Sequence, residues 1–409
     1  MRIDRRALPM VAAVLALAAL SFAIRVPCMI DPAASGLALA VPGCHADLEA
    51  MWLYRGLAAG HVPYLQPFLD PRSGQMVTIE YPVLTGMLMW LAAMPGSFIA
   101  FVALSTLFSA AAAVGIALVL YRLCGRRAWL WAAAPALLFY LAYNYDALPA
   151  FTVVLALALV AGRDPLAPGR THLAAAAVLG VGGALKLYPL VFVLPLALWL
   201  LFGTPGPDQP SLPSRLGRAA AAVGVAAGVF AAINVPFLLA NPQGWWLPFT
   251  FQATRPIDES TLSVWYLASG FLPAVTPTQW LQVAAVATAV GVLAAAGVGW
   301  LIGRRRGGYP LPGSIVTIFV AYLLLNKVHS PQYILWVLPL LVLVGLGTRA
   351  VVTYLAIDVV MFVTLGLAVA SSSAAMFFAL LAATVVRTGF LVWAAVRTAT
   401  ADRLVPSTG

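Results

Sequence analysis

Residues 98–121 read FIAFVALSTLFSAAAAVGIALVLY and carry no charged side chain. A helix of about 20 apolar residues crosses the hydrocarbon core of a bilayer, so this stretch is predicted to be a membrane span. Similar runs recur along the chain, which is 63% hydrophobic and only 9% charged, with a mean hydropathy of +0.96. The sequence therefore predicts an all-α polytopic membrane protein that forms a single integral-membrane domain over residues 1–409.

About twelve segments qualify as spans by length and composition. They are 7–26, 98–121, 128–143, 147–161, 171–186, 188–203, 219–240, 279–302, 309–325, 332–347, 350–369 and 374–398. Residues 82–95 are apolar but short, with a proline at each end. If 82–95 crossed the bilayer, the arginines that follow 98–121 would lie outside. The positive-inside rule favours a segment that lies in the interface or re-enters the membrane.

The charges orient the chain. With 82–95 not crossing, the inside loops hold Arg2, Arg5, Arg6, Arg122, Arg126, Arg127, Arg163, Arg170, Arg215, Arg218, Arg304, Arg305, Arg306, Arg349, Arg397 and Arg403, against Asp4, Asp164, Asp208 and Asp402. This asymmetry predicts that both termini are cytoplasmic. It also accounts for the net charge of +10 without any nucleic-acid partner.

Two longer segments are then external, 27–97 and 241–278. The first holds five of the 13 acidic residues: Asp31, Asp47, Glu49, Asp70 and Glu80. Within it, 46–58 has apolar residues at near-helical spacing and is predicted to be an amphipathic helix on the outer leaflet. Asp47 lies at the start of that helix, as an N-cap, as a catalytic base, or as both. A disulfide between Cys28 and Cys44 is a hypothesis for this oxidising side of the membrane.

Four cationic or titratable side chains lie at the same predicted outer face: Lys186, Arg255, Lys327 and His329. They could bind an anionic lipid headgroup such as a polyprenyl phosphate, or each could anchor its helix by snorkelling. Glu80 is either a second acid of the site or a solvated loop charge. The turn Asn144–Tyr145–Asp146 is either a polar connection or part of the site, because acids at the membrane boundary are functional candidates.

Asp358 and Arg387 lie about half-way along the last two predicted spans. Either charge would be costly alone in the membrane, so we expect them to pair as a structural feature. The sequence has no P-loop, no Rossmann glycine fingerprint and no Cys/His metal cluster. No soluble cofactor and no metal are therefore predicted.

Several short motifs that combine proline with aromatic or charged residues occur along the chain: GHVPY (60–64), EYPVLTG (80–86), YNYDALPAF (143–151), GALKLYPL (183–190) and HSPQYILWVLPL (329–340). Together with an early Asp in the first external loop, they make the sequence similar to glycosyltransferase family 87 of the GT-C superfamily. That family includes actinobacterial α-mannosyltransferases that use polyprenol-phosphate-mannose. The EYPVL motif, with Val83, differs slightly from the common EYPPL.

The resemblance implies a GT-C fold and an active site on the extracytoplasmic side of the cell membrane. It implies transfer of mannose, with inversion, from polyprenyl-phosphate-mannose to a glycolipid or lipoglycan of the cell envelope. Asp47 would be the general base. Lys186, Arg255, Lys327 and His329 would bind the donor phosphate, and Glu80, Tyr81, Asn144 and Asp146 would help bind the sugars. The alternative is a flippase or transporter of a polyprenyl-linked sugar.

Overall fold

The computed structural model describes residues 4–30, 46–163, 170–203, 210–258, 261–272, 274–371 and 373–404. These residues are mostly helical, with one short antiparallel strand pair, β1 (Phe68–Leu69) and β2 (Met76–Val77). The helices are α1 (Leu8–Ala23), α2 (Val26–Ile30), α3 (Asp47–Tyr54), α4 (Val83–Ala93), α5 (Phe98–Cys124), α6 (Trp129–Ala132), α7 (Pro135–Tyr140), α8 (Ala147–Val160), α9 (Thr171–Leu185), α10 (Val193–Phe202), α11 (Leu212–Ala240), α12 (Pro242–Thr254), α13 (Val264–Ser269), α14 (Pro277–Arg306), α15 (Leu311–Leu325), α16 (Ile334–Leu343), α17 (Thr348–Ser371) and α18 (Ala374–Thr398).

Six helical stretches within these ranges are long and apolar enough to cross a membrane. They are Arg5–Ile30, Phe98–Ala132, Leu212–Ala240, Pro277–Arg306, Thr348–Ala368 and Ala374–Thr398. Six further apolar helices have 10–17 residues, and one of 14 residues rises only about 21 Å. The chain is therefore a polytopic helical membrane protein. Twelve crossings and the orientation of the termini stay predictions.

The helices divide into a buried centre and a periphery. Every residue of α16 is buried, and it packs against α5 and α8. In α14, by contrast, only 11% of the residues in the most apolar part of the helix are buried. A helix that is apolar all round and covered by protein belongs to the core of a bundle, whereas an exposed apolar helix needs lipid around it. The long outer helices are thus suited to face the bilayer.

The predicted span 128–143 is not one helix. It breaks into α6 and α7, and Pro135 is the first residue of α7. The backbone of Ala134 is extended (φ −70°, ψ 130°) because a proline disfavours the helical conformation in the residue before it. After this break, the 141–146 turn lies against the start of α3, where Asn144 bonds Asp47.

The predicted amphipathic helix over 46–58 is shorter, spanning α3 alone. Leu48, Met51 and Trp52 form its buried face. The helix ends early because Gly56 has a positive φ of 82°, and a Cβ there would lie 2.7 Å from the Phe68 ring. The strand pair that follows and the 11-residue α4 keep residues 46–93 packed as one layer with its own apolar cluster.

The two described cysteines differ in their bonding state. Cys28 is disulfide-bonded, whereas Cys124 is buried and free. Cys44, the partner expected from the sequence, lies outside the described residues.

The expected ion pair between Asp358 and Arg387 is not formed. Both side chains are buried, but Arg387 donates hydrogen bonds to the backbone oxygens of His329 and Ser330. The Asp358 carboxylate instead accepts a hydrogen bond from the Tyr140 hydroxyl at 3.3 Å. Carbonyl oxygens satisfy a buried guanidinium without a second charge, which is why helix depth alone did not identify the partner.

Candidate active site

A cavity of about 1180 Å³ lies between the layer formed by residues 46–93 and the later helices. Five charged residues line it: Asp47, Glu80, Lys186, Arg255 and Lys327. A separate part of the lining, called the apolar wall below, comes from α14, α17 and α18 and consists of Leu281, Ala284, Ala285, Phe362, Leu365, Ala368, Phe377 and Leu380. The cavity lining therefore combines acidic and basic side chains with an extended apolar surface.

Asp47 is the first residue of α3, and the N-cap position belongs to Ala46. The aspartate is thus not the helix cap, and its carboxylate lines the cavity. Its Oδ2 atom accepts hydrogen bonds from Asn144 Nδ2 (3.0 Å), the Tyr81 hydroxyl (3.4 Å) and Gln332 Nε2 (3.4 Å). Three distant parts of the chain therefore fix one carboxylate.

The 141–146 turn behind Asp47 is itself anchored. The Leu48 N–H donates to the Tyr143 carbonyl at 3.3 Å, which ties α3 to the turn. The Ala142 N–H donates to Ser21 Oγ at 3.1 Å, and Arg25 donates to the carbonyls of Ser21 and Phe139, each at 2.7 Å. The end of the first span thus supports the turn that positions Asp47.

Lys186 and Asp146 form an ion pair at the cavity. The Lys186 Nζ atom lies 2.5 Å from Asp146 Oδ1, and the Asp146 side chain has no exposed surface. The ammonium also lies over three aromatic rings, Trp336 at 4.7 Å, Tyr333 at 5.3 Å and Tyr81 at 5.4 Å. Rings attract a cation through their electron-rich faces, so Lys186 is held at a defined place in the lining.

Asp146 bonds Lys186 but does not itself line the cavity. Trp336 Nε1 donates to its Oδ1 at 3.1 Å, and its backbone N–H donates to Asn144 Oδ1 at 2.9 Å. Burial raises the pKa of Asp146, and Lys186 opposes that shift. Asp146 and Asn144 therefore support Lys186 and Asp47, whereas the sequence had suggested that they contact sugars.

Glu80 lines the cavity and is paired with Arg55. The Arg55 Nε atom donates to Glu80 Oε1 at 2.7 Å, and the guanidinium lies 5.0 Å from the Phe251 ring centroid on α12. Burial raises the pKa of Glu80, and Arg55 opposes the shift. The pair joins the 46–93 layer to α12, so Glu80 is not a solvated loop charge.

Arg255 and Lys327 both line the cavity and contact each other. Lys327 Nζ donates to the carbonyls of Arg255 (2.9 Å) and Ala253 (3.1 Å). Burial, and then the charge of Arg255, lower the pKa of Lys327 to about 8. Two basic side chains in one cavity lining suit an anionic group.

His329 does not join them. Its side chain is 2% exposed and is not part of the cavity lining. Its backbone N–H donates to the Thr261 carbonyl at 2.8 Å, and burial lowers the pKa of the imidazole well below its usual value. A buried neutral imidazole does not supply positive charge to a phosphate, so the expected role of His329 is replaced by a structural one.

Four residues of this site were missed in the sequence: Arg25, Arg55, Gln332 and Trp336. Gln332 and Trp336 lie within HSPQYILW, shortly after Lys327 in the sequence, and the motif could have pointed to them. Arg25 and Arg55 act through carbonyls and a carboxylate far away in the chain. No local pattern identifies such partners.

The fold is that of a helical membrane protein. Its large cavity is lined by a carboxylate fixed by hydrogen bonds and by several basic side chains, which is the usual setting of an enzyme site. Residues 141–393 match the family described as Mannosyltransferase (PIG-M), which is more than half of the chain. The chain belongs to this mannosyltransferase family and is a membrane-bound glycosyltransferase. No curated protein and no solved structure matches it. Lys186, Arg255 and Lys327 lie within the matched residues, whereas Asp47 and Glu80 precede them.

Proposed function

We propose that the protein is an inverting glycosyltransferase of the GT-C type that transfers mannose from polyprenyl-phosphate-mannose to a hydroxyl of a glycolipid or lipoglycan acceptor. The observation that carries the proposal is the Asp47 carboxylate, held by three hydrogen-bond donors in a cavity that also presents three cations. An acid beside cations provides both a base and a stabilised leaving group. The similarity to glycosyltransferase family 87 supports this choice of donor.

Asp47 would act as the general base. The acceptor hydroxyl attacks C1 of mannose from the face opposite the phosphate, and its proton passes to the Asp47 carboxylate. The new C1–O bond forms as the C1–O bond to phosphate breaks, and the electron pair leaves with the phosphate oxygen. Asn144, Tyr81 and Gln332 would fix the carboxylate for direct contact with the hydroxyl, which proton transfer requires.

Lys327 and Arg255 would take the donor phosphate. Negative charge develops on the leaving phosphate in the transition state, and cations already in place stabilise it without reorganisation. Lys186 would contribute less positive charge, because Asp146 neutralises it at 2.5 Å. We therefore assign Lys186 mainly to the sugar-facing part of the lining, beside Tyr81 and Trp336.

The polyprenyl chain would lie along the apolar wall. Leu281 and Ala284 on α14, Leu365 on α17 and Leu380 on α18 all line the cavity. These helices are among those able to span the membrane, so a lipid could reach the site from the bilayer. Small residues such as Ala284, Ala285, Gly366 and Ala368 leave room for an isoprenoid chain.

The charge distribution in the sequence favours an extracytoplasmic position for the cavity. Nucleotide sugars are not expected there, which favours a lipid-linked donor. The same lipid and phosphate contacts could serve a flippase. Only an enzyme, however, needs a base fixed in the wall as Asp47 is.

The test uses purified protein in lipid nanodiscs with radiolabelled polyprenyl-phosphate-mannose and a mixture of glycolipid acceptors. We expect labelled mannose in the acceptor fraction and free polyprenyl phosphate in equal amount. Polyprenyl-phosphate-arabinose and GDP-mannose at the same concentration are the control donors. Donor binding or movement between leaflets without any transfer would support the flippase and contradict the proposal.

The pH dependence of donor use tests the role of Lys327. Because its pKa is about 8, the ammonium is charged below that pH and neutral above it. We expect kcat/KM for the donor to fall as pH rises through about 8, since this quantity reports ionisations of the free enzyme. In Lys327→Arg the positive charge persists at high pH, and the fall should disappear or move upward. An unchanged profile in this variant would exclude Lys327 as the titrating phosphate ligand.

A further inference from the structure

Tyr64 has an unusual backbone. Its φ is 68°, in the left-handed region, and the residue has no exposed surface. A bulky residue in that region is uncommon and strained. Such a conformation persists only where surrounding contacts fix it, and those contacts point toward the cavity.

The Tyr64 hydroxyl holds one wall of the site. It donates to the carbonyls of Tyr81 (2.8 Å) and Pro82 (2.9 Å), and the Tyr64 N–H donates to Thr78 Oγ1 at 3.0 Å. Both Tyr81 and Pro82 line the cavity. The ring packs edge-on against Phe237 with centroids 5.7 Å apart. Tyr64 thus holds the backbone of the two residues that follow Glu80, and Tyr64 itself does not line the cavity.

Two glycines allow this packing. A Cβ on Gly86 would lie 1.9 Å from the Tyr64 hydroxyl oxygen, and a Cβ on Gly244 would lie 1.9 Å from the Tyr64 carbonyl oxygen. Gly86 belongs to α4 and Gly244 to α12. Elements from both external segments therefore close directly on this tyrosine.

Tyr81 connects this contact to Asp47. Its backbone oxygen is held by Tyr64, and its own hydroxyl lies 3.4 Å from Asp47 Oδ2. Its ring also lies beneath the Lys186 ammonium. A shift of the Tyr81 backbone would therefore move a hydrogen-bond donor of the base and a ring that positions a cation.

We propose that Tyr64 is a positioning residue that sets the orientation of the Asp47 carboxylate through Tyr81. This inference rests on the proposed function for its kinetic part, but not for its structural part. A misplacement of about 1 Å at a reacting group can cost about 100-fold in rate. The loss of one hydroxyl, with the ring retained, should cost less.

The test is Tyr64→Phe. We expect kcat to fall about tenfold, with KM for the donor changed less than about twofold, because only transition-state alignment is affected. Hydrogen exchange of the peptide covering residues 78–86 should become faster, since the 81–82 carbonyls lose their donor. This second readout needs no substrate, so it remains informative if the proposed reaction is wrong.

A double-mutant cycle separates positioning from general stability. In a Tyr81→Phe background the Tyr81 hydroxyl no longer reaches Asp47, so adding Tyr64→Phe should lower kcat by less than about twofold. Tyr309→Phe is the control, because it removes a buried phenol hydroxyl just before α15, at a residue that does not line the cavity. It should leave both exchange and kcat unchanged. Additive rate losses, or unchanged exchange over 78–86, would overturn the proposal.

Discussion

Asp47→Asn is expected to lower kcat by about 10²–10⁴-fold, the usual contribution of a general base. The amide keeps the size of the carboxylate but cannot accept the acceptor proton. The donors around Oδ2 are Asn144, Tyr81 and Gln332, and they can still bond the amide oxygen. Folding should therefore change little, and the loss should fall on the chemical step. Steady-state transfer with saturating donor and acceptor measures it.

Glu49→Gln is the matched control for that substitution. Glu49 lies in the same helix, two residues from Asp47, but its side chain is exposed and does not line the cavity. The control removes the same negative charge from the same first turn, so any effect of the α3 dipole is shared. More than about a tenth of wild-type kcat in Asp47→Asn would contradict the role of the base.

Lys186→Met is expected to be the most destabilising of the cavity substitutions. It leaves the fully buried Asp146 carboxylate without its cation, and loss of one partner of a buried pair costs about 3–5 kcal/mol. Trp336 Nε1 still donates to that carboxylate, but one neutral donor does not replace an ammonium. The expected result is a large fall in the thermal midpoint in detergent, with loss of transfer activity.

The double variant Lys186→Met/Asp146→Asn distinguishes burial cost from function. Removing both charges should restore much of the thermal midpoint, because no unpaired charge remains. Transfer activity should stay low, since the cation over Tyr81 and Trp336 is still missing. If Lys186→Met alone unfolded at the wild-type midpoint, the ion pair would have no structural role. A double variant no more stable than the single one would lead to the same conclusion.

Much of this arrangement follows from residue types that are rare in an apolar chain. A charged side chain near a membrane boundary is energetically unfavourable, so such residues are candidates for a functional role. This reasoning selected Asp47, Glu80, Lys186, Arg255 and Lys327. All five line one cavity. The charge pattern and the spanning lengths also predicted a helical membrane protein, and this is confirmed.

The rest depended on contacts that no local pattern contains. His329 was grouped with the cations because of its position in the sequence, yet it is buried and neutral. Arg387 was assigned to Asp358 because both were mid-helix charges, yet it bonds backbone carbonyls. The break before Pro135 is different, because proline chemistry alone could have predicted it.

The bonds from Arg387 have a consequence for how the protein is made. Gln332 and Lys327 belong to the 326–333 segment, and the guanidinium that holds its middle comes from α18, the last described helix. The ribosome therefore releases the early helices into the membrane well before the cation side of the cavity can be secured. This side of the cavity reaches its described arrangement only when synthesis has passed Arg387. A chain that ends before α18 would lack the contacts that hold the 326–333 segment.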